Sequence, residues 1–339
     1  MFDSLASARL QDLHLFNDQA SGLNAIIAIH STSLGPALGG CRCLPYESSD
    51  AAIRDAMALA RGMSYKAALA GLPQGGGKAV IMLPPGQVDR RALFRAFGDC
   101  VEQLAGRYIT AMDSGTELQD LDEVASRTSY VVGTGQDGFD PSPMTARGVL
   151  AAIRSGANHC LDRDKLDGLH VAIQGLGHVG SNLAAMLDEA GARLTVTDTD
   201  PDRCAAAASQ FDATVVDCEA IYQTDCDVFS PCALGQVLDP DSIASLRCKV
   251  IAGAANNQLA DGSCGERLRQ RGIFYAPDYL VNAGGLIRLV LSRAGQVDQV
   301  EARVDGIGDV LAEVIRLSRQ DQLPSNEVAD RLAEERLYG

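Results

Sequence analysis

Lys78 has the setting that most suggests chemistry. It closes the run Leu72-Pro73-Gln74-Gly75-Gly76-Gly77 and opens an apolar stretch, Ala79 to Leu83, that reads as a buried strand. Glycines let a ligand approach the backbone without a Cβ in the way. A lysine at the mouth of a buried strand loses water, which disfavours its charged form and suits a general base or a group that activates water. A second lysine, Lys66, lies upstream on an amphipathic helix. A phosphate loop is excluded, because that pattern needs glycine where Leu72 stands and Ser or Thr where Ala79 stands. The bland alternative is a turn with a solvated lysine. Against it stands a third group: Tyr108-Ile109-Thr110-Ala111-Met112 reads as a strand that delivers Asp113 at its end, where open α/β sheets place their chemistry. Asp there is also a common turn residue or helix cap.

A second constellation is more specific. The strand Leu169-His170-Val171-Ala172-Ile173-Gln174 feeds Gly175-Leu176-Gly177-His178-Val179-Gly180, a helix leaves from Ser181 to Ala190, and the next strand, Arg193 to Thr197, ends in Asp198. Strand, Gly-x-Gly-x-x-Gly turn, helix and acid in that order make a dinucleotide-binding unit. Gly175 makes the turn, Gly177 admits the pyrophosphate, Gly180 lets helix meet strand, and the helix N-terminus holds the phosphates. Asp198 would bond the ribose hydroxyls and repel a 2′-phosphate, so NAD is expected rather than NADP.

These groups need elements to position them. At 339 residues the chain is expected to form two domains. The Gly/Pro-rich stretch 133–143 is the expected hinge, giving a substrate-binding and catalytic domain over 1–142 and an NAD-binding domain over 143–339, whose last helices could return to the first. In the first, 24–30 reads as a strand, 33–40 as a Gly/Pro-rich connection, Ser48 to Lys66 as a helix with Ile53, Met57 and Ala60 inward, and 90–105 as a core helix. In the second, a helix follows from Thr145. Strands at 213–216, 226–230, 250–254 and 273–276 alternate with helices, the rhythm of a doubly wound parallel sheet. Asn282-Ala283-Gly284-Gly285 opens a helix with Leu286, Leu289 and Val290 on one face, and 298–319 and 325–337 read as two final helices.

Composition excludes other classes. A formal net charge of −15 without a basic stripe argues against nucleic acid and anionic membranes. The opening Met1-Phe2-Asp3-Ser4 lacks a cationic segment and apolar core, so no export signal is expected, and the ten scattered cysteines read as reduced cytoplasmic thiols. The five histidines show no metal-ligand spacing, and no metal is expected.

Several phrases together resemble the leucine, phenylalanine and valine branch of the glutamate/leucine/phenylalanine/valine amino-acid dehydrogenases, with the leucine-type members nearest. They are LGPALGGCR (34–42), ARGMSYKAALAGLPQGGGKAV (60–80), RYITAMDSGT (107–116), DPSPMTARGV (140–149), QGLGHVG (174–180), SPCALGQV (230–237), VIAGAANNQL (250–259) and YAPDYLVNAGGLI (275–287). The resemblance covers nearly the whole chain. It implies reversible NAD-dependent oxidative deamination of an apolar, branched-chain L-amino acid, leucine first, to the 2-oxo acid and ammonium. A phenylalanine-preferring enzyme, or an NAD-binding sensor without turnover, are the alternatives. It further implies that Lys66 holds the substrate carboxylate, that Lys78 activates water, and that Asp113 exchanges protons with the amine. Leu38, Gly39, Met63, Gly75, Ala111, Asn257, Leu286 and Leu289 would surround the substrate. Thr145, Cys232, Ala233, Ala254 and Asn256 would join the glycine turn around NAD. A homodimer or larger homo-oligomer is implied. Arg147 and Arg288 depart from the family pattern, and their types and spacing suggest only surface or subunit contacts.

Overall fold

The structure, a computed structural model, describes residues 5, 8–86, 88–135, 140–233 and 235–339. Met1-Phe2-Asp3-Ser4, on which the export-signal reading rests, and 136–139 of the expected hinge lie outside the described residues. The chain divides into two compact units, Met1–Phe139 with Ala333–Gly339, and Asp140–Leu332.

The first unit is built on strands β1 (Asp12–Asp18), β2 (Leu23–Ser31), β3 (Ala37–Leu44), β4 (Gly75–Met82) and β5 (Tyr108–Met112), in the order β1-β2-β4-β3-β5. The first two pairings are antiparallel, and β4–β3 and β3–β5 are parallel. The helices are α1 (Ser49–Leu69), α2 (Arg90–Gln103) and α3 (Leu118–Ala125). Because strand side chains alternate, both faces are covered, one by α1 and the other by α2 with Val124 of α3. Ala52, Ala56 and Ala60 of α1 pack on Ile26, Ala28 and Val80. On the other face Leu93, Phe94, Phe97 and Val101 of α2 meet Ile27, Ile29, Cys41, Ala79, Ile81 and Tyr108. Phe94 and Phe97 are fully buried, and each stabilises the unit by roughly 1.5–3 kcal/mol. α1 starts where the spacing predicts, with the Ser48 hydroxyl accepting from the Ala51 N–H.

Two local readings change. The central strand begins at Gly75 rather than Ala79, so the glycine triplet is strand, and none of the three has positive φ. Their reason is close packing: a Cβ on Gly76 would lie 2.0 Å from Ser64 N of α1, and one on Gly77 would lie 2.8 Å from the Tyr108 ring. The expected connection 33–40 ends at Pro36, and Gly39 and Gly40 sit inside β3. The edge strand β1 and the helix α3 had no strong periodic signal.

The second unit holds β6 (His170–Gln174), β7 (Arg193–Thr197), β8 (Thr214–Val215), β9 (Val228–Pro231), β10 (Val250–Ile251) and β11 (Phe274–Tyr275). All are parallel, in the order β11-β10-β9-β6-β7-β8. This is the dinucleotide-binding order, and it reverses between β6 and β9, where ligands of such sheets bind. Its helices are α4 (Ser142–Leu161), α5 (His178–Glu189), α6 (Pro201–Phe211), α7 (Pro240–Ser245), α8 (Ser263–Gln270), α9 (Asp278–Val281), α10 (Gly284–Arg293), α11 (Val300–Asp305) and α12 (Ile307–Asp321), together with the start of α13 (Ser325–Tyr338), whose residues from Ala333 onward belong to the first unit. α5 begins at His178, three residues before Ser181, and α4 begins at Ser142, so Thr145 lies in its first turn. The segment expected as one helix over 298–319 divides at Gly306, which caps α11, since glycine weakens a helix interior by about 1 kcal/mol. On α10 the buried face is Ile287, Val290 and Leu291, while Leu286 and Leu289 are half-buried beside it.

Candidate active site

In the first unit the pairing register decides which side chains share a face. Gly40 of β3 pairs with Ala111 of β5, and Cys41 pairs with Ala79 of β4. Alternation then places Leu38, Gly40 and Arg42 of β3, Lys78 of β4, and Ala111 with the following Asp113 on the α1 face. Lys78, only 6% exposed, puts Nζ 2.5 Å from Asp113 Oδ2. Lys78 and Asp113 come from non-adjacent strands, and β3 runs between them. They meet because the residue between is glycine: a Cβ on Gly40 would lie 2.8 Å from both Asp113 Cβ and Met112 O. Lys66 and Met63 are half-buried on α1. Leu38 is buried and Ala111 half-buried. Gly39 and Gly75 have their Cα substituents on the α2 face, so towards Lys78 they can offer only backbone. The Gly39 carbonyl accepts from the Tyr108 hydroxyl at 2.6 Å.

Burial by itself raises the Asp113 carboxyl. The Lys78 charge and hydrogen bond, the Ser114 N–H and Arg42 outweigh it and hold Asp113 below the usual carboxylate range. Arg42 was not singled out by sequence reasoning. Its Nε is 3.4 Å from Asp113 Oδ2, and its Nη1 donates to Asp55 at 2.9 Å. The array can therefore hold a carboxylate ionised beside a lysine, the equipment for moving protons and activating water.

In the second unit the glycine turn lies at the sheet's switch point. Gly175 has φ +98°, and its N–H donates to the Thr197 carbonyl. A Cβ there would press on Ala233 at 2.8 Å, whereas one on Gly177 would meet nothing within 4 Å. That open space lies before the unpaired N–H groups at the start of α5, where His178, Val179 and Gly180 stand. Asp198 Oδ2 accepts from the Leu176 N–H at 2.5 Å, and its Oδ1 accepts from the Asp200 N–H. A carboxylate has about four acceptor positions, so lone pairs remain for ribose hydroxyls. These residues fit a dinucleotide.

The remaining cofactor candidates, apart from Thr145 of α4, lie on the loops after β9 and β10. Cys232 N–H donates to the Gln174 carbonyl. Asn282 Nδ2 donates to Asn256 Oδ1 at 2.7 Å and to the Ala254 carbonyl at 3.1 Å. Asn257 is exposed with φ +52°. The Thr145 hydroxyl donates to the Pro141 carbonyl at 3.0 Å. Sequence reasoning did not single out Gln258 or Asn282. Gln258 is fully buried, donates to the Gly253 and Ala255 carbonyls, and gives its N–H to Asp278. Both lie inside quoted family phrases, the one signal that could have found them. The two unexplained arginines are intramolecular: Arg147 pairs with Glu301 and Asp305 of α11, and Arg288 donates to the Asp140 carbonyl. Among the described residues no helix is long and apolar enough to cross a membrane, and no cluster of His, Cys, Asp or Glu could hold a metal.

Comparison with known proteins agrees with this layout. The family model described as "Glu/Leu/Phe/Val dehydrogenase, dimerisation domain" matches residues 11–130, and "Glutamate/Leucine/Phenylalanine/Valine dehydrogenase" matches 140–202 and 199–302. The chain is 45% identical to a leucine dehydrogenase of Bacillus subtilis (strain 168), with 99% of this chain and 94% of that protein covered. It is 42% identical to a valine dehydrogenase of Streptomyces virginiae, with 95% and 92% covered. The crystal structure of L-tryptophan dehydrogenase from Nostoc punctiforme superposes with a TM-score of 0.90 at 39% identity, covering 99% of this chain and 98% of that one.

Proposed function

Because the chain belongs to the glutamate/leucine/phenylalanine/valine dehydrogenase family, we propose that it catalyses the reversible NAD-dependent oxidative deamination of L-leucine and similar branched-chain amino acids. The observation that carries the reading is the buried Lys78–Asp113 pair on the α1 face, in a chain 45% identical to a leucine dehydrogenase. The Lys66 ammonium holds the substrate carboxylate. Lys78 activates the attacking water and stabilises the carbinolamine. Asp113 exchanges protons with the amine as the imine forms and breaks. Bound NAD would supply the hydride acceptor. NAD is favoured over NADP by the Asp198 carboxylate at the end of β7, which repels a 2′-phosphate. Leu38, Met63, Ala111, Leu286 and Leu289 are proposed to set an apolar side-chain preference, and Asn256, Asn257, Thr145, Cys232 and Ala233 to contact the cofactor or substrate. The match to a family dimerisation domain supports a homodimer or larger homo-oligomer. Ten free cysteines support a reducing, cytoplasmic setting.

The test is NADH formation with L-leucine, L-valine, L-isoleucine, L-methionine, L-phenylalanine, L-tryptophan and L-glutamate. Leucine is expected to be among the fastest, with no rate on glutamate. Lys78→Ala is expected to lower kcat by about 10²–10⁴-fold. No NADH from any apolar amino acid, or full activity in Lys78→Ala, would sink the proposal. A phenylalanine or tryptophan preference would keep the reaction and change the substrate.

A further inference from the structure

We propose that Arg42 is a positioning residue for proton exchange at Asp113, and that Asp55 of α1 tempers its charge. The inference rests on the dehydrogenase reading and assigns roles to two residues that reading does not use. Asp113 Oδ2 is shared by two cations, Lys78 Nζ at 2.5 Å and Arg42 Nε at 3.4 Å. A carboxylate held by two unopposed cations would surrender protons readily and accept them poorly. Arg42 is not unopposed. Its Nη1 donates to both Asp55 oxygens, at 2.9 and 3.2 Å, and the Tyr46 hydroxyl donates to Asp55 Oδ2 at 2.6 Å.

The four charges, two of each sign, form one chain across β4, the end of β5, β3 and α1. Its members keep Asp113 ionised and oriented while leaving it able to take a proton. Three other titratable groups stand against this chain without adding charge, and Lys66 adds a cation beside it. Cys41 of β3 and Tyr108 of β5 are fully buried, and burial pushes both far above their ordinary values; burial and the Asp55 hydrogen bond push the Tyr46 hydroxyl up as well. Lys66 of α1 is half-buried on the same face.

The geometry makes a signed prediction. Arg42→Gln removes a cation from the cluster, and Asp55→Asn removes an anion. The acid limb of the pH–rate profile for deamination, where Asp113 takes up its proton, moves up in Arg42→Gln and down in Asp55→Asn, by about one pH unit in each case. Arg42→Lys restores the charge but not the fork that reaches both carboxylates. It should return the limb towards wild type while kcat stays below wild type. KM for the amino acid should change less than kcat in all three.

A purely structural Arg42 would lower melting temperature and rate without moving the limb. An unmoved limb in both charge-removing variants, or movement in the same direction, overturns the inference while leaving the dehydrogenase reading intact. No turnover by the wild-type chain would sink that reading, and this inference with it. Should Arg42→Gln fail to fold, Asp55→Asn and Arg42→Lys still decide the sign.

Discussion

At the scale of single residues, this protein buries polar groups where partners already wait for them. Lys78 has Asp113, Arg42 has Asp113 and Asp55, and Gln258 has two carbonyls. His30 of β2 also has a partner, but its burial carries a pH consequence. It is 2% exposed, with Nδ1 2.9 Å from the Ser64 hydroxyl, and burial, helped by Arg61, pushes it down to about 4. An unfolded His titrates near 6.5. Between those values the unfolded chain binds a proton that the native chain does not, so stability is full above about pH 6.5 and falls as pH drops towards 4. The loss is on the order of 3 kcal/mol. Denaturant unfolding of wild type and His30→Gln across that window should show the variant without this part of the slope. Parallel pH profiles would refute the assignment.

At the scale of elements, glycines decide how closely strands and helices meet, and two substitutions with the same chemistry should give opposite outcomes. In Gly40→Ala the new methyl would press on Asp113 Cβ and Met112 O, both 2.8 Å away. Asp113 must shift from Lys78, and misplacement on that scale costs about 10²-fold in rate. In Gly177→Ala the methyl meets no protein atom within 4 Å, so melting should be unchanged within about 0.5 kcal/mol. The methyl does enter the space before α5, and KM for NAD should rise by about tenfold or more. Melting curves with initial rates on both variants check this, and the contrast fails if Gly177→Ala loses stability or Gly40→Ala keeps full kcat.

At the scale of the whole molecule, two compact units hold different groups: the Lys78–Asp113 pair in the first, the glycine turn and Asp198 in the second. A ligand stabilises what it binds, and at 100 times its Kd by about 2.7 kcal/mol. For a unit of this size that is about 5–10 °C. Calorimetry should show NAD raising the transition of the second unit, with little effect from NADP at equal concentration. An equal response to both would remove the role given to Asp198. The dinucleotide unit was legible in the sequence because its parts, from His170 to Asp198, are consecutive: strand, turn, helix and acid each follow from local periodicity and glycine chemistry. Ser48 as a cap and the core helix carrying Phe94 and Phe97 were legible for the same reason. The sequence named Lys78 and Asp113 but could not say that they touch. Tertiary pairing decided that, by inserting β3 between β4 and β5 and placing a glycine where any side chain would have kept the two apart. The same pairing brought Arg42 level with Asp113, and α1 brought Asp55 to Arg42. Such contacts join residues distant in sequence, and no local pattern encodes them.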